Sequence, residues 1–370
     1  MQGPGLDSRV DLSGLGFVVF ARDRPRHTSE LIAYLAQGAR GFVVYVFDNG
    51  EVPLDLRLGP ELMASVHHSY SMGGFVSQHG EAAREVDTEF VMLLDDDSLP
   101  AVHGIAVAIS ALRCDAELQA AHGTVGTYST LGPVRLHETV SSNEEDVSAL
   151  SSDREERLMN QFDRPYQHRY WYAVHRRQRF SDIFTALKVV KVVDSWHSTT
   201  ELVLEAMTVW DGPAIDIGQV TCWDNVENAS HYKEWSSYAI SPADYWLKLR
   251  YWRARNTTFF ALQQVCGWRH HERRLFARAV RTYARQYRIP VRTRIWQKCI
   301  AHSWRRISQR RIHGLAPLLT GLRSFARRAP APAPSISQTV SDDYCLEILL
   351  RGEDADDIRE LLEFLSGHPL

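Results

Sequence analysis

Three consecutive aspartates, Asp95-Asp96-Asp97, end the apolar run Phe90 to Leu94. Two carboxylates spaced as Asp95 and Asp97 are offer hard oxygen ligands to a divalent cation, Mn²⁺ or Mg²⁺, and through it to the phosphates of a ligand. A plain capped loop uses the same residues, since aspartate often precedes a helix. Position favours the chemical reading. Three like charges at the end of a buried strand are costly unless a cation offsets them. Two further polar clusters follow apolar runs in the same way. Asp48-Asn49-Gly50 closes the run Phe42 to Phe47, where the carboxylate of Asp48 suits a ribose hydroxyl or a base NH, although Asp-Asn-Gly is also ordinary turn chemistry. Arg22-Asp23-Arg24-Pro25 closes the run from Gly16, and its arginines suit a phosphate or simply water.

These clusters need elements to hold them in one place. The short apolar runs read as buried parallel strands. The stretch HTSELIAYLAQGA between the first two has Leu31, Tyr34 and Leu35 at helical spacing, with Thr28 or Ser29 as N-cap and Gly38 as stop. AVHGIAVAISALR predicts a helix after the aspartates. Strand–helix–strand alternation implies a mostly parallel α/β sheet flanked by helices, in which ligands bind beyond the carboxyl ends of the strands. All three clusters sit at such ends, which points to one site. Further on, AELQAAHGTVGTYS predicts a strand and turn, RYWYAVHRRQRF a strand entering a helix, and TTELVLEAMTVWDG an amphipathic helix. VSSNEEDVSALSSDREER reads as a polar surface loop.

The chain has 370 residues, of which 44% are hydrophobic and 10% aromatic, enough for a substantial core plus an appendage. A net charge of -3 conceals a strong asymmetry. Residues 250–328 hold twenty Lys and Arg against a single acid, Glu272, with Trp252, Trp268, Trp296 and Trp304 interleaved. The five cysteines show no close pair, which fits a reducing compartment rather than a disulfide or zinc framework. No basic and apolar leader opens the sequence, and no apolar run reaches 18 residues. The expected setting is cytoplasmic, with the sequons at Asn228 and Asn256 arising by chance.

In order, GFVVFARDRPRHTSELIAYL, VVYVFDNGE and GEAAREVDTEFVMLLDDDSLP resemble the N-terminal half of a family 2-type glycosyltransferase with the GT-A fold. AAHGTVGTYS, RYWYAVHRRQRF and TTELVLEAM resemble a bacterial subgroup of such domains, and the likeness extends over about residues 14–245. It implies a Rossmann-like, mostly parallel sheet and transfer of a sugar from a nucleotide diphosphate sugar to a hydroxyl acceptor, as in cell-surface polysaccharide or glycoconjugate synthesis. By the same likeness the donor is held by Arg22, Arg24, Asp48, Arg84, Asp95 and Asp96, and the metal by Asp97 and Asp95. Family 2-type enzymes carry a catalytic acid at the start of a later helix; Glu201 stands at that place, without the usual second acid, and Asp194 is its substitute. Such a base takes the acceptor proton in an inverting transfer. A third metal ligand commonly comes from a later loop, where His231 and, within CWDN, Asp224 are available.

The resulting division is a leader (1–13), a GT-A domain (14–249), a basic helical extension (250–328), a Pro/Ala linker (329–340) and an acidic tail (341–370). The extension suits an acceptor that is lipid-linked or anionic and a peripheral place on the inner face of a membrane. It equally suits a helical subdomain packed on the catalytic one; nucleic acid is the least favoured partner. Two rivals remain. A nucleotidyltransferase would carry a Gly-rich loop after its first strand, and ARDRPRHTS has no glycine. A non-catalytic binder of polyanions or membranes would bind no nucleotide.

Overall fold

The computed structural model describes residues 9–72, 75–129, 135–137, 149–162, 170–189, 197–225, 269, 271–279 and 282. The expected apolar runs are strands. In chain order the elements are β1 (Val10–Asp11), β2 (Leu15–Ala21), α1 (Pro25–Gly38), β3 (Ala39–Arg40), β4 (Val43–Asp48), α2 (Pro60–Met63), β5 (Val66–Tyr70), α3 (Phe75–Glu85), β6 (Phe90–Asp95), β7 (Leu99–Pro100) and α4 (Val102–Cys114). Then follow β8 (Ala120–Ser129), β9 (Arg135–His137), α5 (Arg154–Phe162), β10 (Val174–Arg176), α6 (Arg177–Val189), α7 (His197–Asp211) and β11 (Ala214–Asn225). Residues 271–279 are helical.

The main sheet has the order β5-β4-β2-β6-β10-β8-β11-β7, with β9 beside β8. β5, β4, β2 and β6 are mutually parallel; β4, β2 and β6 are the buried apolar runs, and β5 is a polar, largely exposed edge strand. β10 is antiparallel to both β6 and β8, and β11 runs parallel to β8. Two reversals restore the direction, so the carboxyl ends of β2, β4, β6, β8 and β11 share one edge of the sheet.

The core lies on both faces. Phe17, Phe47 and Phe90 come from the strands, Phe180, Phe184 and Trp210 from the helices, and all are fully buried. α4 lies so close to β11 that a Cβ on Gly104 would overlap the Val220 carbonyl. That approach seats the helix following the aspartates directly against the strand that ends in Asp224 and Asn225.

One expected boundary is corrected. α1 starts at Pro25, with Arg24 as the capping position, rather than at Thr28 or Ser29. Proline at the first helical position lacks only an amide hydrogen that has no helical partner there. Thr28 and Ser29 are the fourth and fifth helical residues, their hydroxyls donating to the carbonyls of Arg24 and Pro25. The linker, the acidic tail, Asp194, His231 and most of the basic extension fall outside the described residues.

Candidate active site at the carboxyl edge

The aspartates arrive at the edge because β6 is buried along Phe90–Leu94 and ends there. Asp95 is gripped from the neighbouring chain segment. Trp171 Nε1 donates to its Oδ1 at 3.2 Å and the Tyr172 hydroxyl donates to its Oδ2 at 2.5 Å. The register explains why. Val174 pairs with Met92, so the antiparallel continuation brings 172 and 171 opposite 94 and 95. Burial, then Asp95 and Asp224, push the Tyr172 pKa well up, so the phenol keeps its proton and remains a donor. Tyr170, just upstream, is anchored by α7, because its N–H donates to Glu205 Oε1 at 2.9 Å.

Asp96 and Asp97 share a different partner. Arg24 Nη1 lies 2.9 Å from Asp96 Oδ1 and 2.8 Å from Asp97 Oδ2. Burial works against the Arg24 charge, but Asp96 and Asp97 outweigh it and raise its pKa. The Tyr128 hydroxyl of β8 donates to the Asp97 carbonyl at 3.0 Å. Asp224 of β11 joins the group through Ser98, whose Oγ donates to Asp224 Oδ1 at 3.3 Å. The edge therefore gathers four carboxylates, one guanidinium and two phenols.

Burial pushes the Asp96 pKa up to about 7, with Asp97 and Asp95 adding to the shift and Arg24 opposing it. In the unfolded chain this carboxyl titrates near its ordinary value of 3.8. Between those values the folded chain binds more protons, so this group's contribution to stability falls as pH rises through the window and levels off above it. Asp96→Asn should remove that slope. In EDTA, the melting temperature of the variant relative to wild type should rise between pH 5 and pH 8; a difference independent of pH would contradict this account.

Asp48 is placed at the same edge, at the end of β4, but it is fully buried and faces its own loop. Its Oδ1 accepts the Gly50 N–H at 2.9 Å, and its Oδ2 accepts the Leu54 N–H at 2.7 Å with His68 Nε2 at 3.3 Å. It shapes the 49–54 loop first. Asp23, at φ 56, binds that loop to the arginine cluster through Glu51 N–H at 2.8 Å. Arg22 is exposed beside Asp23.

Arg84 is not brought to this group. It lies in the last turn of α3, which leads into the start of β6, the end opposite the aspartates, and its Nε donates to the Gly80 carbonyl at 3.1 Å. It lies at that end because helix and strand run antiparallel. Glu201 lies near the start of α7. α7 ends at Asp211, just before β11 begins opposite Ala120, so its first turns lie toward the carboxyl edge.

Sequence reasoning missed Trp171, Tyr172 and Tyr128. The aromatic run in RYWYAV was the available signal, but only the antiparallel register shows that it faces Asp95. The donor set is chemically suited to a hard cation, being carboxylate oxygens at one edge. Among the described residues, however, no three His, Cys, Asp or Glu side chains already converge as a cation cage. Arg24, Trp171 and Tyr172 occupy the carboxylates instead.

No family model matches the chain, and no curated protein matches it in sequence. Among solved structures it is similar to S. aureus TarS 1-349 in complex with UDP-GlcNAc, at TM-score 0.50 and 13% identity, over 73% of this chain and 72% of that one. S. aureus TarS 1-349 in complex with UDP gives TM-score 0.45 at 13% identity, over 72% and 70%. TarS 1-349 without a named ligand gives 0.43 at 15%, over 74% and 91%. At this identity the likeness is one of fold. The chain has the α/β, GT-A-type architecture: a mostly parallel sheet flanked by helices.

Proposed function

We propose that the chain is a metal-dependent glycosyltransferase that moves a sugar from a nucleotide diphosphate sugar to a hydroxyl acceptor with inversion. The gathering of Asp95, Asp96, Asp97 and Asp224 at the carboxyl edge of a GT-A-type sheet carries this reading. Asp97 and Asp95 would hold Mn²⁺ or Mg²⁺, with Asp224 beside them and His231 the expected further ligand. Such a cation, when bound, offsets the charge of the departing diphosphate.

The chain's own groups do the rest. Tyr172 and Trp171 fix the Asp95 carboxylate through both oxygens, which removes its freedom to rotate away. Asp48 holds the 49–54 loop in shape at the end of β4, and it is the residue that would meet the nucleoside there. Arg22, at the exposed rim, is available to phosphate. Glu201, or Asp194 in its place, takes the acceptor proton as the sugar transfers. The acceptor, lipid-linked or anionic, is met by the Arg- and Trp-rich segment 250–328, which puts the enzyme peripherally on the cytoplasmic face of a membrane. Among the described residues no helix is long and apolar enough to cross one.

The solved TarS structures hold UDP and UDP-GlcNAc, so UDP is the first nucleotide to try. In a thermal-shift screen of nucleoside diphosphates, one of them should raise the melting temperature in Mn²⁺ and do little in EDTA. A screen in which no nucleotide shifts the transition would sink the reading.

A further inference from the structure

Arg24 reaches two neighbouring carboxylates with a single nitrogen. Nη1 is 2.9 Å from Asp96 Oδ1 and 2.8 Å from Asp97 Oδ2. The contact is screened from water, the three side chains being 22%, 9% and 12% exposed. It is also held from behind. The Arg24 carbonyl accepts the Thr28 N–H and hydroxyl at 3.2 and 3.1 Å, locking it to the start of α1. On its other side Asp23 adopts a left-handed backbone and is tied to Glu51 N–H. A non-glycine residue adopts that conformation at a cost, which here turns the chain so that Arg24 meets the aspartates. A guanidinium held in this way between two acids stands where a cation would.

Arg24 and a divalent ion compete for Asp96 Oδ1 and Asp97 Oδ2, because two positive charges on the same oxygens, with little water and no further anion between them, repel each other. We infer that Arg24 is a resident counter-cation that keeps the Asp96–Asp97 pair closed, and that a divalent cation enters only as Arg24 leaves. The inference rests on the proposed reading of the aspartates as a cation site. Once displaced, the guanidinium emerges beside the cation, where a diphosphate offers it a bidentate partner. Cation and nucleoside diphosphate then assist each other's binding, since each stabilises the open arrangement.

Mn²⁺ binding to the full chain, read from the paramagnetic resonance signal of the free ion, tests this without any turnover. In the absence of nucleotide, Arg24→Met should bind Mn²⁺ about tenfold more tightly than wild type, within the range of such couplings. Added UDP should tighten Mn²⁺ binding in wild type and do so much less in the variant. Arg24→Lys keeps the charge but loses the planar fork, and should bind Mn²⁺ roughly threefold more tightly than wild type. This second variant decides the matter if circular dichroism shows Arg24→Met to be unfolded. Equal or weaker Mn²⁺ binding in the folded variants would overturn the displacement idea and leave the cation site standing. No Mn²⁺ binding by wild type or variants, with or without UDP, would overturn both.

Discussion

Asp97→Ala should abolish Mn²⁺-supported binding of the nucleoside diphosphate, weakening it by at least about 100-fold, because it removes a proposed cation ligand outright. The fold should tolerate the change. Asp97 is one of the charges that raise the pKa of Asp96, so its removal relieves repulsion at a crowded edge. Arg24 keeps Asp96 as a partner at 2.9 Å, and the Tyr128 bond reaches the backbone carbonyl of residue 97, which alanine retains. The melting temperature in EDTA should therefore stay at or above that of wild type, while calorimetry finds no nucleotide binding in Mn²⁺. Retained nucleotide affinity in Asp97→Ala would contradict the assignment of Asp97 as a cation ligand.

Glu201→Gln should leave donor binding within about twofold of wild type and reduce transfer by roughly 10²–10⁴, the range of a general base. The reason is topological. α7 runs from the carboxyl edge toward the opposite end of the sheet, and Glu205 anchors it to Tyr170, directly upstream of the Trp171 and Tyr172 pair that grips Asp95. Glu201 lies one helical turn nearer the edge than Glu205. Glutamine keeps the size of the side chain and removes its basicity, so lost transfer with retained donor affinity isolates the proton step. Near-normal turnover would exclude Glu201 and turn attention to Asp194.

Much of this was legible because burial imposes continuous apolar runs on parallel strands. GFVVF, VVYVF and FVMLL are buried strands in register, and the polar clusters that close them do share an edge. Less legible was the second half of the sheet. β11 carries polar residues and Gly218 among its apolar ones, with register shifts between Asp216 and Cys222, so its sequence lacks both continuous and alternating character. Its end nevertheless delivers Asp224 to the aspartates. RYWYAVHRRQRF does read as a strand entering a helix, as β10 and α6 are, but nothing in it tells that β10 runs antiparallel to both its neighbours. Arg24 is the sharpest case. An arginine in a polar loop reads as solvated or phosphate-binding; only the left-handed turn at Asp23 and the helix start at Pro25 commit it to Asp96 and Asp97. Asp48 shows the converse, a residue of ligand-binding type whose carboxylate is first occupied by its own loop. Arg84 was not placeable from its motif alone, since only the run of α3 shows that it lies at the end of the sheet opposite the aspartates.

The central claim, that the aspartate edge binds the diphosphate of a donor through a cation, is tested most directly by calorimetric titration of UDP, then GDP, into the full chain in Mn²⁺ and in EDTA. One nucleotide should bind with a stoichiometry near one in Mn²⁺ and lose its heat in EDTA. Binding of equal strength in EDTA would contradict the role given to the cation, and no binding of either nucleotide under both conditions would contradict the account as a whole.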